Sequence, residues 1–241
     1  MNVLAVIPAR GGSKSVPRKN ISAICGHPLI EYTIFEALKC KYLSDIVVST
    51  DDNEIAGIAR ELGAQVPFMR PQELATDSAE SAPVMEHALL CMEDLKGNQY
   101  DAVLMLQPTT PLRRVKHIDQ AIRLFISEEC DSVVSVVSVG GHHPFRMKRM
   151  AGKKLINYID QGFWDMRPRQ DLPPVYIRNG AIYLISRNAF LKGRQLLGEN
   201  CLGFEMTEEE SVNIDTPVDF LVAEAMLKEQ KNDTHALPNA G

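Results

Sequence analysis

The sequence predicts an α/β protein with three layers: a mostly parallel sheet between two layers of helices. Strand and helix patterns alternate through residues 1–139, as repeated βαβ units require. The chain has 241 residues, of which 45% are hydrophobic and 24% charged, so its composition suits one sizeable core. Together these observations indicate a Rossmann-like arrangement.

Local signals bound the first predicted elements. Pro28 suits the first position of a helix. Asp52 can cap the helix that Gly63 ends. The predicted elements are a strand at 2–8, a helix at 28–40, a strand at 45–50, a helix at 52–62 and a strand at 65–69.

The alternation continues to residue 139. Leu89, Met92 and Leu95 form an apolar stripe at helical spacing, which indicates core packing. We predict a helix at 81–95, a strand at 101–106, a helix at 115–127 and a strand at 132–139.

The pattern changes between residues 140 and 175, where short mixed segments carry basic side chains and the only tryptophan, Trp164. We expect an inserted dimerisation element here, because irregular β segments with exposed aromatic residues often contact another subunit. His142 and His143 lack a Cys or carboxylate at ligand spacing, so they are weak metal candidates.

The sheet is predicted to resume with strands at 180–185 and 211–215, followed by a helix at 217–229. Residues 1–139 and 176–230 would then form one α/β domain, with 140–175 inserted into it. Residues 231–241 are polar and lack a helix signal, so we expect a disordered tail.

Charge and composition exclude several classes of function. The formal net charge of −5 leaves no general basic face for nucleic acid. No apolar run approaches the roughly 20 residues that span a bilayer. The five cysteines form no C-x-x-C pair, which argues against a disulfide framework or a zinc site. We therefore expect a cytoplasmic protein with reduced cysteines, bound to neither membrane nor nucleic acid.

A basic loop follows the first strand. Gly11 and Gly12 carry no Cβ, so the loop can turn backbone N–H groups inward, and Arg10, Lys14 and Lys19 add positive charge. The glycine order matches neither a P-loop nor the dinucleotide fingerprint. The loop is suited to a polyphosphate.

Residues after the other strands are expected to meet this loop, because ligands bind over the carboxyl ends of strands in open α/β sheets. They include Arg70, Gln107 and Asp215. Such cations, amides and a carboxylate suit a nucleoside triphosphate with Mg²⁺, which prefers oxygen ligands. Asp215 can equally be a helix cap, since it precedes Thr216 and Pro217.

Eight motifs in order resemble the cytidylyltransferases that make CMP-activated sialic acids and related nonulosonic acids. The resemblance covers nearly the whole chain, to about Lys228. The motifs are IPARGGSK at 7–14, PRKN at 17–20, VSTD at 48–51, RPQELATD at 70–77, LQPTTPLR at 106–113, PRQ at 168–170, NGAIY at 179–183 and IDT at 214–216.

The resemblance implies transfer of CMP from CTP to the anomeric hydroxyl of a 2-keto sugar acid, with release of pyrophosphate. It implies phosphate contacts from Arg10, Lys14 and Lys19, and ribose and cytosine contacts from Asn20, Arg70 and Ser81. The full set of implied nucleotide-binding residues is Ala9, Arg10, Gly11, Gly12, Lys14, Lys19, Asn20, Arg70 and Ser81, of which Arg10 and Lys14 are also implied to be catalytic.

For the acceptor sugar, the resemblance implies Gln107, Arg169 and Tyr183. It also implies a catalytic Asp215 that holds Mg²⁺ or Mn²⁺ with Asn213, and a homodimer in which residues 140–175 reach the partner subunit.

Two positions depart from the family pattern. Asn213 stands where the family usually has a second metal-binding aspartate, which removes one charge from the metal site. Arg178 is shifted by one place relative to the sialate-specific members. Because alternate residues of a strand face opposite sides, this shift turns the arginine to the other face.

Two other functions remain open. A nucleotide-sugar glycosyltransferase would use Asp51 and Asp52 for the metal, although position 53 is Asn rather than the second Asp of an Asp-x-Asp motif. A catalytically silent CTP-binding protein is the other possibility, suggested by Asn213.

Overall fold

The structure is a computed structural model that describes residues 1–13, 15–160 and 162–235. Its strands are β1 Val3–Pro8, β2 Ala23–Ile24, β3 His27–Pro28, β4 Asp45–Ser49, β5 Ala102–Met105, β6 Ser132–Ser138, β7 Lys148–Ala151, β8 Lys154–Asn157, β9 Tyr176–Ser186 and β10 Cys201–Glu205. Its helices are α1 Leu29–Leu38, α2 Asn53–Glu61, α3 Ser81–Lys96, α4 Val115–Ser127, α5 Arg187–Gly193 and α6 Pro217–His235.

A six-stranded sheet in the order β10-β6-β9-β5-β1-β4 forms the centre of the molecule. Strand β1 pairs in parallel with β4 and β5, and β10 pairs in parallel with β6. Strand β9 is antiparallel to both of its neighbours. The predicted mostly parallel sheet is confirmed, with β9 as its antiparallel member.

Both faces of β1 are buried. Val3, Ala5 and Ile7 belong to one core cluster, which also contains residues of α1, α2 and α4. Leu4 and Val6 belong to the other, with residues of α3. Because neighbouring residues of a strand face opposite sides, this division places helices on both faces of the sheet and confirms the three layers.

The boundary signals are mostly confirmed. The Asp52 side chain caps α2 by accepting from the N–H groups of Glu54 and Ile55. Pro28 lies one residue before α1 rather than within it. Helix α6 extends past the predicted end at residue 229 to His235. The rest of the expected tail, 236–241, lies outside the described residues.

Two predicted strands are wrong. Residues 65–69 make only an isolated bridge, between Gln65 and Val47. Residues 211–215 form a loop, because the Ile214 N–H donates to Thr109 O (2.8 Å) and its side chain joins a separate core cluster. The edge of the sheet is instead occupied by β10, which the sequence analysis missed together with α5.

The inserted segment contains the antiparallel hairpin of β7 and β8. Apolar side chains lie exposed beside it: Tyr158, Phe163, Trp164 and Met166 are 54–87% exposed. The Lys148 ammonium lies 4.9 Å from the centre of the Trp164 ring. Elsewhere, no helix in the described part of the chain has the length and apolar character needed to cross a membrane.

Candidate active site

A cleft of about 670 Å³ opens over the carboxyl ends of the central strands. It is lined by side chains from five separate segments, which the parallel sheet brings to one edge. The predicted site residues that line it are Arg10, Gly12, Lys19, Asn20, Arg70, Ser81, Gln107, Asn213 and Asp215.

Lys19 joins the two sides of this cleft. Its Nζ donates to the Ile214 carbonyl oxygen over 2.7 Å and lies 3.5 Å from Asp215 Oδ1. The Lys19 side chain is only 14% exposed, so the charge is held near the floor of the cleft. The early basic loop and the late aspartate therefore face one space, as the sequence predicted.

Arg10 connects the loop after β1 to the segment after Arg70. Its Nη1 donates to the Thr76 carbonyl oxygen (2.7 Å) and lies 3.0 Å from Asp77 Oδ1. The Asn20 side chain donates to the Arg10 carbonyl oxygen and holds that backbone in place. An anion that enters the cleft would compete with Asp77 for the Arg10 guanidinium.

The glycine loop is packed more closely than the sequence suggested. The Gly11 N–H donates to Asp51 Oδ1 (3.0 Å), so it does not face a ligand. A Cβ on Gly11 would lie 2.7 Å from Asp52 Oδ2, which explains the glycine. Gly12 lines the cleft with open space beside it.

Besides Gly11, two predicted nucleotide-binding residues do not line the cleft as described. Ala9 is fully buried and its N–H donates to the Ser49 carbonyl oxygen, as part of the sheet edge. Lys14 lies outside the described residues.

Arg70 is a buried cation at the cleft wall, with 6% of its surface exposed. Its Nε donates to Ser49 Oγ (3.1 Å), and its Nη2 donates to the Ser49 carbonyl oxygen. Burial lowers the pKa of Arg70 to about 10. The group remains charged at neutral pH and is held rigidly by the end of β4.

Ser81 is the first residue of α3, a helix of 16 residues whose N-terminus lies at the cleft. No side chain caps this end by a hydrogen bond. The first N–H groups of a helix lack partners within the helix and favour negative charge or hydroxyl groups. Ser81 is thus placed among donors that a nucleotide can use.

Asp215 does not cap α6. Thr216 and Asp219 form a reciprocal cap, in which Asp219 Oδ2 accepts from the Thr216 N–H (2.7 Å) and Thr216 Oγ1 accepts from the Asp219 N–H (3.3 Å). The Asp215 carboxylate instead accepts from Asn213 Nδ2 (2.7 Å) and is 68% exposed. Of the two roles left open by the sequence, this geometry favours the ligand role.

The oxygens near Asp215 fit a hard cation. Asn213 Oδ1 is buried without a hydrogen-bond partner, next to the Asp215 carboxylate that its amide contacts. Among the described residues no group of three His, Cys, Asp or Glu side chains can hold a metal. A site with few protein oxygens suits Mg²⁺, which takes one or two side chains together with substrate phosphates.

Arg113 supports the cleft from below, and the sequence analysis gave it no role. It is 1% exposed and donates to the carbonyl oxygens of Gln107 (3.1 Å) and Ala181 (3.0 Å) and to Thr110 Oγ1 (2.7 Å). Burial lowers its pKa to about 9. The signal that could have identified it is an arginine that directly follows the apolar, proline-containing stretch LQPTTPL.

A second cavity of about 310 Å³ adjoins the cleft and shares Glu80, Ser81 and Gln107 with it. Tyr183, predicted to contact the acceptor, lines this cavity together with Arg178. Arg169 lines neither cavity. Its guanidinium lies in the inserted segment, 3.3 Å from the position of a Cβ on Gly140.

A β-bulge places Arg178 and Tyr183 on the same face. Val134 pairs with Tyr183 and Val136 with Arg178, so two steps along β6 correspond to five along β9. Gly180, with φ +82°, lies in the bulge. The one-place shift still turns Arg178 to the face opposite Ile177, and the bulge brings Tyr183 to the same face as Arg178.

Asn179 ties this bulge to the Asn213 loop. It is 4% exposed, and its Oδ1 accepts from Ser135 Oγ (2.6 Å) while its Nδ2 donates to Ser211 Oγ (2.9 Å). Gly180 lies so close to Gln107 that a Cβ would be 2.6 Å from Gln107 Oε1. One short segment therefore positions residues of both cavities.

Asp51 and Asp52, the metal ligands of the glycosyltransferase hypothesis, are engaged in the fold. Asp51 accepts from the Gly11 N–H, and Asp52 caps α2 and pairs with Arg18 at 2.6 Å. The Arg18 hydrogen bond lowers the pKa of Asp52. This arrangement does not support a metal at these carboxylates.

Comparisons with known proteins give consistent results. A family model described as Cytidylyltransferase matches residues 4–166. The chain is 33% identical over 229 residues to CMP-N,N'-diacetyllegionaminic acid synthase of Legionella pneumophila, with 95% of this chain and 97% of that protein covered. It is 33% identical over 234 residues to N-acylneuraminate cytidylyltransferase of Escherichia coli, with 95% of this chain and 53% of that protein covered.

A solved structure with a similar fold is that of CMP:2-keto-3-deoxy-manno-octonic acid synthetase complexed with CTP. The TM-score is 0.69 at 17% identity, and the match covers 95% of this chain and 100% of that chain.

Proposed function

The chain belongs to the cytidylyltransferase family, and we propose that it transfers CMP from CTP to the anomeric hydroxyl of a nonulosonic acid and releases pyrophosphate. The relatives are named for this activity on sugar acids of that class. The observation that carries the proposal is the position of Lys19 beside Asp215 in one large cleft. The Lys19 ammonium and the Asp215 carboxylate are thereby both available to one bound triphosphate.

The nucleotide would lie in the 670 Å³ cleft. We assign its phosphates to Arg10 and Lys19, with Lys14 added from the sequence, and its ribose and base to Asn20, Arg70 and Ser81. Arg10 would exchange its contact with Asp77 for a phosphate oxygen. The charge of Arg70 is already desolvated, so its interaction with a polar ligand would be strong.

The proposed chemistry is one displacement at the α-phosphorus of CTP. The anomeric oxygen forms a bond to the α-phosphorus and releases its proton to solvent, the bond from that phosphorus to the oxygen that bridges it to the β-phosphate breaks, and pyrophosphate leaves with that electron pair. This reaction needs no covalent enzyme intermediate. The protein would contribute alignment of the two oxygens and fixed positive charge around the phosphates, mainly from Arg10 and Lys14.

Mg²⁺, or Mn²⁺ in its place, is part of the proposal. The Asp215 carboxylate and the unpartnered Asn213 Oδ1 would hold the ion. When bound, it would neutralise charge on the phosphates. Lys19 would orient the Asp215 carboxylate before the nucleotide arrives.

The acceptor would enter the 310 Å³ cavity, where Gln107 and Tyr183 line the wall. Burial raises the pKa of Tyr183, so its hydroxyl stays protonated and can donate to the sugar. Arg169 lies away from both cavities of its own chain. Its predicted contact with the acceptor would therefore have to be made in a neighbouring subunit.

We propose a homodimer formed through the inserted segment. Its exposed aromatic and apolar side chains, including Trp164 and Met166, are the kind of surface that subunit contacts bury. We also propose a cytoplasmic location, because the five cysteines are all free and suit a reducing compartment.

Pyrophosphate release tests the proposed reaction. Purified protein is incubated with CTP and Mg²⁺ and with N-acetylneuraminate, legionaminate, pseudaminate or an octulosonate. Release that requires both CTP and one of the acids is expected, with ATP, GTP and UTP giving little. A thermal shift with CTP but no release from any acid would instead support the silent CTP-binding alternative.

A further inference from the structure

We propose that Arg178 binds the carboxylate of the acceptor sugar acid in the second cavity. The inference rests on the proposed function and goes beyond it, because it assigns the acceptor's charged group to an arginine that lies one place away from the family's position. The observations that carry it are the bulge in β9, the lining of the cavity and the charges around Arg178.

The bulge is the first step. In a regular strand, Arg178 and Tyr183 would point to opposite faces, since they are five positions apart. Their partners Val136 and Val134 are two apart on β6 and share a face. Arg178 and Tyr183 are therefore on one face of β9, and both line the cavity.

The second step is the balance of charge in the cavity. Its charged lining residues are Glu80, Arg178 and Arg194. Arg194 lies 3.8 Å from Glu86, an ion pair at the surface with the arginine 77% exposed. Among the described residues, the Arg178 guanidinium meets no hydrogen-bond or ion-pair partner. It is the cation of this cavity that an incoming anion can use without displacing another group.

The third step is the chemistry of the ligand. A guanidinium presents two parallel N–H donors, which match the two oxygens of a carboxylate. A 2-keto sugar acid carries that carboxylate on the anomeric carbon, next to the attacking hydroxyl. Since Ser81 and Gln107 border both cavities, a carboxylate held by Arg178 would keep this hydroxyl near the nucleotide cleft.

Arg169 is the competing candidate. It lies in the inserted segment, and its guanidinium packs against Gly140 rather than lining either cavity. Assigning the carboxylate to Arg169 requires a second subunit, whereas Arg178 needs only the chain that holds the nucleotide. The two assignments give different results in a kinetic comparison.

The test compares Arg178→Ala, Arg178→Lys and Arg169→Ala with wild type in the pyrophosphate assay, using the best acid of the panel and its methyl ester. Lys192→Ala, an exposed cation on α5, is the matched control. We expect Arg178→Ala to raise the acceptor KM roughly ten- to hundredfold, as loss of a charge-assisted hydrogen bond does. The CTP KM should stay within about twofold, and Arg178→Lys should recover part of the loss.

The methyl ester separates a charge contact from a general change in shape. Wild type should prefer the acid, and Arg178→Ala should lose most of that preference. Thermal melting should be unchanged within about 2 °C, because Arg178 is exposed and unpaired.

Three results would overturn the inference: an unchanged acceptor KM in Arg178→Ala, an equal rise in the CTP KM, or a preference for the acid lost in Arg169→Ala instead. If wild type releases no pyrophosphate with any acid, the proposed function itself fails.

Discussion

Asn213 donates its amide Nδ2 to Asp215 Oδ2 over 2.7 Å, while its own Oδ1 stays buried without a partner. The amide N–H of Asn213 thus offsets part of the negative charge of the Asp215 carboxylate when no cation is bound. Where an aspartate stands at this position, two carboxylates would face each other. In this chain the asparagine puts a hydrogen bond in place of that repulsion.

Asn213→Asp tests this exchange. Without Mg²⁺ the variant should melt a few degrees below wild type, because a hydrogen bond becomes a repulsion between like charges. With Mg²⁺ its melting temperature should rise more than that of wild type, since the cation gains a second carboxylate. Thermal melting across a Mg²⁺ titration measures both effects.

Asn98→Asp makes the same chemical change in an exposed turn, away from the cleft, and should leave the Mg²⁺ response unaltered. An Asn213→Asp variant whose response to Mg²⁺ equals that of wild type would refute the metal assignment.

Asp215→Asn should lower kcat by roughly a hundredfold or more, the usual effect of removing one electrostatic group that acts in the transition state. The KM for CTP should change much less, because Arg10 and Lys19 remain. Steady-state pyrophosphate release measures both constants. Asp94→Asn, on the exposed side of α3, is the control, and full activity of Asp215→Asn would show that the cleft works without this carboxylate.

The clustering of the site was predictable because parallel strands end at one edge of a sheet. Arg10, Arg70 and Asp215 are far apart in the sequence. Arg10 and Arg70 each follow a predicted strand, and Asp215 ends a predicted strand just before a predicted helix. The buried apolar runs of β1 and β4 could be recognised without any tertiary information. For Arg70 and Asp215 the predicted location was right although the strands predicted at 65–69 and 211–215 are an isolated bridge and a loop.

Strand β10 could not be found in this way. It pairs with β6, which lies far back in the sequence, and it is an edge strand interrupted by Gly203. The alternating residues Val212 and Ile214 resembled a strand, but they pack into a separate cluster with α6. The alternation of apolar and polar residues in a segment does not show whether that segment pairs with a strand of the sheet or packs against a helix.

The shared face of Arg178 and Tyr183 could not be predicted from the sequence. A bulge is defined by the pairing of two strands, here Val134 with Tyr183 and Val136 with Arg178. One sequence read alone gives only the regular alternation, which would place these two residues on opposite faces. Arg113 was missed for a related reason, because its role depends on carbonyl groups from separate segments.

Arg113→Met should destabilise the protein by about 3 kcal/mol or more. The change removes the arginine donor from the Ala181 carbonyl oxygen and from the Thr33 and Thr110 hydroxyls, and the Gln107 carbonyl oxygen loses one of its donors. Each buried group left unsatisfied costs about 1–3 kcal/mol. Urea denaturation at pH 7 measures the difference. Arg149→Met, on an exposed strand of the insertion, should cost about 0.5 kcal/mol or less; equal effects would mean that Arg113 is not a structural support.

Gly180→Ala should impair activity and reduce stability by about 1–2 kcal/mol. The residue has φ +82°, which strains any other residue, and the new Cβ would lie 2.6 Å from Gln107 Oε1. Gly57→Ala is the matched control, because that glycine is inside α2 with open space beside it. It should be stabilising by about 0.5–1 kcal/mol. A Gly180→Ala variant with normal acceptor KM and stability would contradict the tight packing.

Glu93→Gln should show a pH-dependent loss of stability. Hydrogen bonding to Arg187 lowers the pKa of Glu93 below its ordinary value of 4.5. A lowered pKa in the folded state stabilises the protein above pH 4.5, and this contribution disappears as the pH falls through the folded-state value. The difference in urea midpoint between wild type and Glu93→Gln should be full at pH 7 and shrink below pH 4.5. A constant difference across this range would argue against the ion pair.

The contact between Lys19 and Ile214 joins positions 195 residues apart. During synthesis the chain emerges from the ribosome in order, so the basic loop exists long before its acidic counterpart. A nascent chain that ends before residue 213 has half of a nucleotide site and no means of completing it. The cleft between the basic loop and the 213–215 segment is thus completed only after almost all of this sequence has been translated.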